Sequence, residues 1–360
     1  MNFFVTAVVY ILTAYLSLTN SLAIFISNTF SLEQPQAQEE SVSASIKELP
    51  SIFGKSIPDI LLHSNEYQQA AVGAAAGISG GTTKDPLSAI VNIFCTFKTK
   101  NYIRTTTGSG FFIDPGGIIM TNAHIAQFLL LEKTDKFGDA HCIVRTGSPA
   151  AAKYNAELLY ISPAWVLKNA ASIDDNAPLG TGERDYALLY VSSDISDWPL
   201  PTQFPALAFD SDLLSTSVKD SSVTAAGYPA TDLIEHGPNT ELLARQANTS
   251  ISDLYTFGSN YADVISIRGS EVGAEGASGG PVVNSNGKVI GMIATKGDDE
   301  TDGTGSLRAI TLSHIERTIK EETGFTLADN LKGDLPTRSK IFADTLTPFL
   351  LTLLEQNHVN

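Results

Sequence analysis

The sequence predicts an all-β fold, a sandwich or a pair of barrels, and three observations predict it. From Leu87 onward, short apolar runs rich in β-branched and aromatic residues recur at close spacing, split by Gly, Pro, Asn and Asp. That spacing is the pattern of many short strands joined by tight turns. "NSNGK", residues 284–288, reads as a hairpin turn, with Asn286 and Gly287 suited to the positive φ values of a type I′ turn. The runs on either side of it are then antiparallel neighbours. The first clear helical pattern comes late, in "SHIERTIKEETG", after the last of the runs.

The chain opens on "MNFFVTAVVYILTAYLSLTNSLAIFIS", with no charged side chain before Glu33 and no basic one before Lys47. Residues 3–26 are long and apolar enough to cross a bilayer. Residues 1–28 are read as a signal peptide, with Ser21 and Ala23 as small residues ahead of a cleavage point, or as a single anchor. Either places the rest outside the cytoplasm, in a periplasm or cell envelope or in the medium. A buried core helix is the third reading. Residues 29–84 follow as a polar, then Gly- and Ala-rich linker without apolar periodicity, with a short helix around 57–69.

The strands are expected in "AIVNIFCTFK", "GSGFFI", "GIIMTNA", "AHCIVRTG", "AELLYIS", "DYALLYV", "SVTAAGY", "ELLARQANTSIS", "ADVISIRG", "GPVVNSNGKVIGMIAT" and "SLRAITLS". In the helix after them, Ser313 and Glu316 have capping-box spacing and Gly324 can close it in the left-handed region. The last segment, "IFADTLTPFLLTLLEQ", is apolar enough to dock on the body or touch a membrane; Pro348 interrupts it unless it sits in a first turn. No internal repeat is visible beyond the all-β character of both halves.

The formal net charge is −16, which repels phosphates and argues against nucleic acid as a partner. Cys95 and Cys142 are the only two cysteines and there is no C-x-x-C pair, which speaks against a structural zinc site. No metal and no cofactor are expected. His63, His141, His236, His314 and His358 follow no ligand spacing and are read as surface or strand residues.

Three residues combine into a chemistry. His124 follows a predicted strand directly, and a strand end is the rigid mounting a general base needs. Asp185 stands at the mouth of the apolar run "ALLYV", where a carboxylate needs a partner; Asp174 and Asp175, in a polar loop, are weaker candidates. Ser278 lies in "GASGGP", where glycines permit a tight turn whose N–H groups point into one hollow. A nucleophile, a base, its orienting carboxylate and an oxyanion pocket are what acyl transfer by serine requires. Read singly, each also fits a plain strand-end histidine, a turn aspartate or a serine in a flexible loop. A phosphate loop is excluded because no G-K-[ST] follows. The G-x-S-x-G elbow of α/β-hydrolases fails because no βα alternation surrounds it.

"GSGFFIDPGGIIMTNAH", "DYALLYV" and "GASGGPVVNSNGKVIGM", in that order, resemble the chymotrypsin-like serine peptidases, and are most similar to their bacterial trypsin-like and HtrA-like branch; "AAGYPA", residues 225–230, resembles the first strand of that branch's second barrel. The resemblance covers residues 85–325. It implies two antiparallel six-stranded β-barrels, 85–205 and 206–325, with a C-terminal helix closing the second and the active site between them. Residues 326–360 are then a tail with a short apolar helix, too short for the PDZ domain usual in the HtrA-like branch. It implies His124 as base, Asp185 as its orienter, Ser278 as nucleophile, and the N–H groups of Gly276 and Ser278 as oxyanion donors. The primary substrate pocket falls to Val272, Gly273, Ala294, Thr295 and Lys296. With no acid at Val272, a small or medium apolar residue is expected there rather than Lys or Arg. Ala277, where zymogen-activated members carry an aspartate, argues against that switch. The resemblance makes the strands of Cys95 and Cys142 neighbours; the two are either a disulfide, which suits an exported protein, or small core residues.

The expected function is a serine endopeptidase cleaving protein or peptide outside the cytoplasm through an acyl-enzyme, with membrane association through residues 3–26. The alternatives are a catalytically silent peptide-binding or scaffold module on the same fold, and an esterase using the same three residues.

Overall fold

The computed structural model describes residues 46–48, 81–98, 103–134, 136, 138–171, 182–236, 240–298 and 305–357. The apolar segment 3–26, most of the expected linker with its helix around 57–69, Asp174, Asp175, His63 and His358 lie outside the described residues.

The first barrel is built from β1 (Ile90–Lys98), β2 (Ile103–Asp114), β3 (Ile118–Thr121), β4 (Asp139–Thr146), β5 (Ala151–Ile161) and β6 (Ala187–Asp194). They close in the order β2-β1-β4-β5-β6-β3, all antiparallel. Alternation drives the closure: Val91, Ile93, Cys95 and Phe97 of β1 are all buried on one face, as a period of two demands. Cys95 stands directly opposite Cys142 in the β1–β4 register and is disulfide-bonded to it. Of the two readings of the cysteines, the bonded one is what the fold contains.

The second barrel is built from β7 (Ser222–Gly227), β8 (Arg245–Thr256), β9 (Val264–Ile267), β10 (Pro281–Asn284), β11 (Val289–Lys296) and β12 (Leu307–Thr311). Its order is β8-β7-β10-β11-β12-β9, with β9 closing back on β8. Counted within each barrel, both orders read 2-1-4-5-6-3. Residues 46–48, inside the expected linker, add a short parallel strand outside β8. The β10–β11 hairpin differs from the expected type I′ turn. Gly287 N–H bonds to the Asn284 carbonyl, and only Gly287 has positive φ (+76°). This is a type I turn followed by a left-handed glycine bulge. The Asn284 side chain accepts from the N–H groups of Asn286 and Lys288 and so favours it over the two-residue turn.

Helices come earlier than the sequence suggested. α1 (Ala123–Leu131) follows β3 and α2 (Pro163–Asn169) follows β5. α1 is buried almost all round; such a helix has no polar stripe and reads in sequence as a strand-like apolar run. α2 is announced by Ser162, whose hydroxyl accepts from Trp165 N–H, and by Pro163 at its first position. α3 (Leu312–Thr323) is the late helix. Its cap is Thr311, not Ser313: Thr311 Oγ1 accepts from His314 N–H, while Glu316 accepts from Leu327 N–H further on. Gly324 closes it with φ +79°.

After a four-residue helix, Leu327–Asn330, the tail forms α4 (Leu335–Thr345) and α5 (Thr347–Asn357), with Pro348 harmless in the first turn of α5. They return to the first barrel: α4 packs on β5, and α5 on α1 and α2. Phe342, Leu346, Leu350 and Leu354 are buried in the first barrel's core. Arg338 is fully buried and donates to the carbonyls of Asn330 and Lys332, both at 2.7 Å. No helix of the described residues is long and apolar enough to cross a membrane.

Candidate active site

His124 is not at a strand end but the second residue of α1, three residues beyond β3. There its backbone and ring engage one carboxylate. His124 N–H donates to Asp185 Oδ1 at 2.9 Å, and His124 Nδ1 stands 2.8 Å from Asp185 Oδ2. Asp185 thereby serves α1 as a capping carboxylate supplied from another segment, where the helix dipole favours negative charge. The residue that would normally cap, Asn122, instead donates its side-chain amide to the Asp185 carbonyl at 2.8 Å. Asp185 is 2% exposed. An ionised carboxylate only accepts, so Nδ1 carries the proton and Nε2 is left as the base.

Ser278 sits in a backbone turn held by the first barrel. Ser109 of β2 donates its N–H to the Ser278 carbonyl at 2.7 Å and its hydroxyl to the Gly276 carbonyl at 2.7 Å. The Ser109 hydroxyl also accepts from Tyr228 N–H, and the Ser109 carbonyl accepts from Thr121 Oγ1. With both turn carbonyls drawn toward β2, the N–H groups of Gly276 and Ser278 find no acceptor among the described residues. Two backbone donors left open beside a serine hydroxyl are the makings of an oxyanion hole. Glycine is required twice. Gly276 has φ +91°, and a Cβ there would lie 2.5 Å from the Tyr228 carbonyl oxygen. Gly279 has φ +89°, and its Cβ would lie 1.9 Å from the Ser109 carbonyl oxygen and 2.7 Å from Thr121 Oγ1.

Gly279, the residue after Ser278, therefore lies close to Thr121, the last residue of the strand that leads to His124. The Ser278 hydroxyl itself points to the Ala294 carbonyl at 3.3 Å, not to the imidazole.

The expected pocket residues divide. Ala294 lies beside Ser278. Thr295 and Lys296 continue β11 outward, half-exposed and exposed. Val272 is fully buried in the second barrel's core. Gly273 is pressed against the Gly305 carbonyl, where a Cβ would stand at 2.3 Å. No cluster of three or more metal-ligating side chains occurs among the described residues. Of the histidines set aside as surface or strand residues, His141 and His236 are exposed. His314 is not: it is buried on α3 and paired with Asp263.

Sequence reasoning missed Ser109. It stood in the quoted "GSGFFI" run, and its signal was a serine between two glycines in an otherwise apolar strand.

Two closed barrels of identical strand order, with a His–Asp pair on one and a glycine-shaped serine turn on the other, define the chymotrypsin-like class of serine-protease folds. A family model for the trypsin-like peptidase domain matches residues 108–292, just over half of the chain and all three of these residues. The chain belongs to that family. No curated protein matches it.

Proposed function

We propose that the chain is a serine endopeptidase that cleaves protein substrates outside the cytoplasm. The observation that carries this reading is the pairing of His124 with the buried Asp185 carboxylate, which leaves Nε2 as the ring nitrogen without a partner among the described residues. Ser278 Oγ attacks the scissile carbonyl while His124 Nε2 takes its proton. The N–H groups of Gly276 and Ser278 hold the oxyanion, and the imidazolium returns the proton to the leaving amine. Water, activated by the same imidazole, then releases the acyl group from Ser278. No cofactor enters. β11 ends beside Ser278 with Thr295 and Lys296 uncovered, a strand along which an extended peptide can pair. The side chain before the scissile bond is small or medium and apolar. Residues 3–26 are the export signal or anchor, and the Cys95–Cys142 bond suits an oxidising compartment.

A fluorophosphonate probe tests this directly. The folded wild type should be labelled at Ser278 and the Ser278→Ala variant should not, and the wild type should cleave a denatured protein. A folded wild type that takes no label sinks the enzyme reading in favour of a binding module. Label without peptide cleavage favours an esterase.

A further inference from the structure

Asp185 is flanked by two side chains that run the other way. Arg184 and Tyr186 both leave the Asp185 segment toward α3, the helix that follows the second barrel, while Asp185 itself turns to His124. Tyr186 OH lies 2.9 Å from Thr318 Oγ1. Arg184 Nη1 donates to Glu322 Oε1 at 2.8 Å, and Nη2 to Glu321 Oε2 at 2.8 Å. Glu321 is mostly exposed, so its arm is screened and adds little. Glu322 is fully buried, and its remaining valences are filled by the hydroxyls of Tyr160 and Ser162, on and just after β5. Burial pushes the Glu322 carboxyl upward. Arg184, Tyr160 and Ser162 are the donors that face it.

The backbone of Arg184 is itself unusual. It has φ +58°, in the left-handed region, at a residue that carries a side chain. That conformation is strained away from glycine and persists only where surroundings enforce it. A glycine would take the bend without strain but would leave nothing to hold. Here the bend turns the Asp185 carboxylate to the first turn of α1, and the guanidinium locks the bend from behind. Tyr186 N–H, bonded to the Arg184 carbonyl at 2.9 Å, tightens the same turn.

We infer that Arg184 and Glu322 are positioning residues for the reaction proposed above: together they hold the Asp185 carboxylate in register with His124, so that α3 sets the alignment of the base. The pair touches neither substrate nor the reacting atoms and acts through Asp185 alone. This rests on the peptidase reading, but its first test does not.

The test uses the full chain with Arg184→Met, Glu322→Gln and the double substitution. The primary readout is the low-field proton resonance of His124 Nδ1 in its bond to Asp185, followed by NMR. It reports the alignment whether or not the chain hydrolyses anything. Both single variants should shift or broaden it. With a peptide substrate, kcat should fall roughly 10- to 100-fold with KM held within about twofold, because sub-ångström misplacement of a catalytic group costs that much. The double variant should be no worse than Arg184→Met, since the two side chains act as one unit. If Arg184→Met does not fold, Arg184→Lys takes its place: a single ammonium loses the two-pronged contact and should give a smaller loss in the same direction. An unchanged Nδ1 resonance in folded variants overturns the inference, even if their melting temperature falls. Failure of the wild type to take a fluorophosphonate bears on the peptidase reading, not on this one.

Discussion

Two histidine–aspartate pairs stand among the described residues, and at the contact itself they are nearly alike. His124 Nδ1 is 2.8 Å from Asp185, and His314 Nδ1 is 3.0 Å from Asp263. Both histidines lie near the start of a helix, at the second position of α1 and the third of α3. What surrounds them differs. The His124 side chain is 18% exposed. His314 is 5% exposed, packs against Phe257, and its Nε2 has no partner among the described residues. Asp185 serves one imidazole and one helix terminus. Asp263 also takes Thr256, Ser259, the Phe257 N–H and Arg317. One pair leaves its base free for a reactant; the other uses the same bond to tie α3 to the second barrel. The dyad geometry alone is therefore not a catalytic signature. What sets His124 apart, for the reaction proposed above, is its exposure.

The largest expected effect separates the pairs by the same substitution at each. Asp185→Asn should cut kcat roughly 10⁴-fold, because the amide stabilises the wrong tautomer of the base, and should change the melting temperature little. Asp263→Asn should cost about 2–4 kcal/mol of unfolding free energy, since Arg317 and His314 lose a buried counter-charge. Its kcat, measured well below the melting point, should stay within about threefold. Urea titration and steady-state kinetics on the two proteins check both arms. If Asp263→Asn abolishes turnover in the folded protein, the contrast is wrong.

A smaller effect probes the joint between the barrels. Ser109→Ala removes the donor to the Gly276 carbonyl and the acceptor of Tyr228 N–H. The oxyanion turn should loosen, and kcat should fall by about tenfold or more, with affinity for a peptide aldehyde falling in parallel while KM holds. Equal loss in KM and kcat, or none in aldehyde affinity, would assign Ser109 to stability instead.

The smallest effect is in pH. Burial alone would raise the Asp263 carboxyl, but the hydrogen bond and charge of His314, with Arg317 and Ser259, outweigh it and hold it well below the usual carboxylate range. The unfolded chain then binds a proton more readily than the folded one in acid. The stabilisation is complete above the ordinary aspartate value of 3.8 and is lost as pH falls below it. The slope of the urea midpoint below about pH 4 should therefore flatten in Asp263→Asn, because protonation of this buried, multiply bonded carboxylate sets it.

The three residues of the candidate site were legible because each sits in a stretch whose letters are constrained by its backbone: glycines around Ser278, an apolar strand after Asp185, a Gly-Gly turn and strand before His124. The helix that carries His124 was not legible. α1 is apolar on every side, and periodicity cannot tell such a helix from a buried strand. His314 was misread because the residues packed against it, Phe257 and Asp263, come from the segment between β8 and β9, more than fifty positions away in sequence. Glu322 lies within the helix expected in "SHIERTIKEETG", but its partner Arg184 is 138 residues away.

By itself, then, the sequence determined the strand content, the late helix, the order His–Asp–Ser and the glycine turn. These are local matters, settled by side-chain alternation and by which residues tolerate a left-handed backbone. Only the tertiary structure decided the rest. It shows one strand order used twice in halves with no visible sequence repeat, because many apolar sequences satisfy the same inward alternation. It joins Cys95 to Cys142, because register decides which residues stand opposite. And it separates two like dyads into one that is partly exposed and one that is sealed, because burial is a property of what packs around a residue and not of the residue.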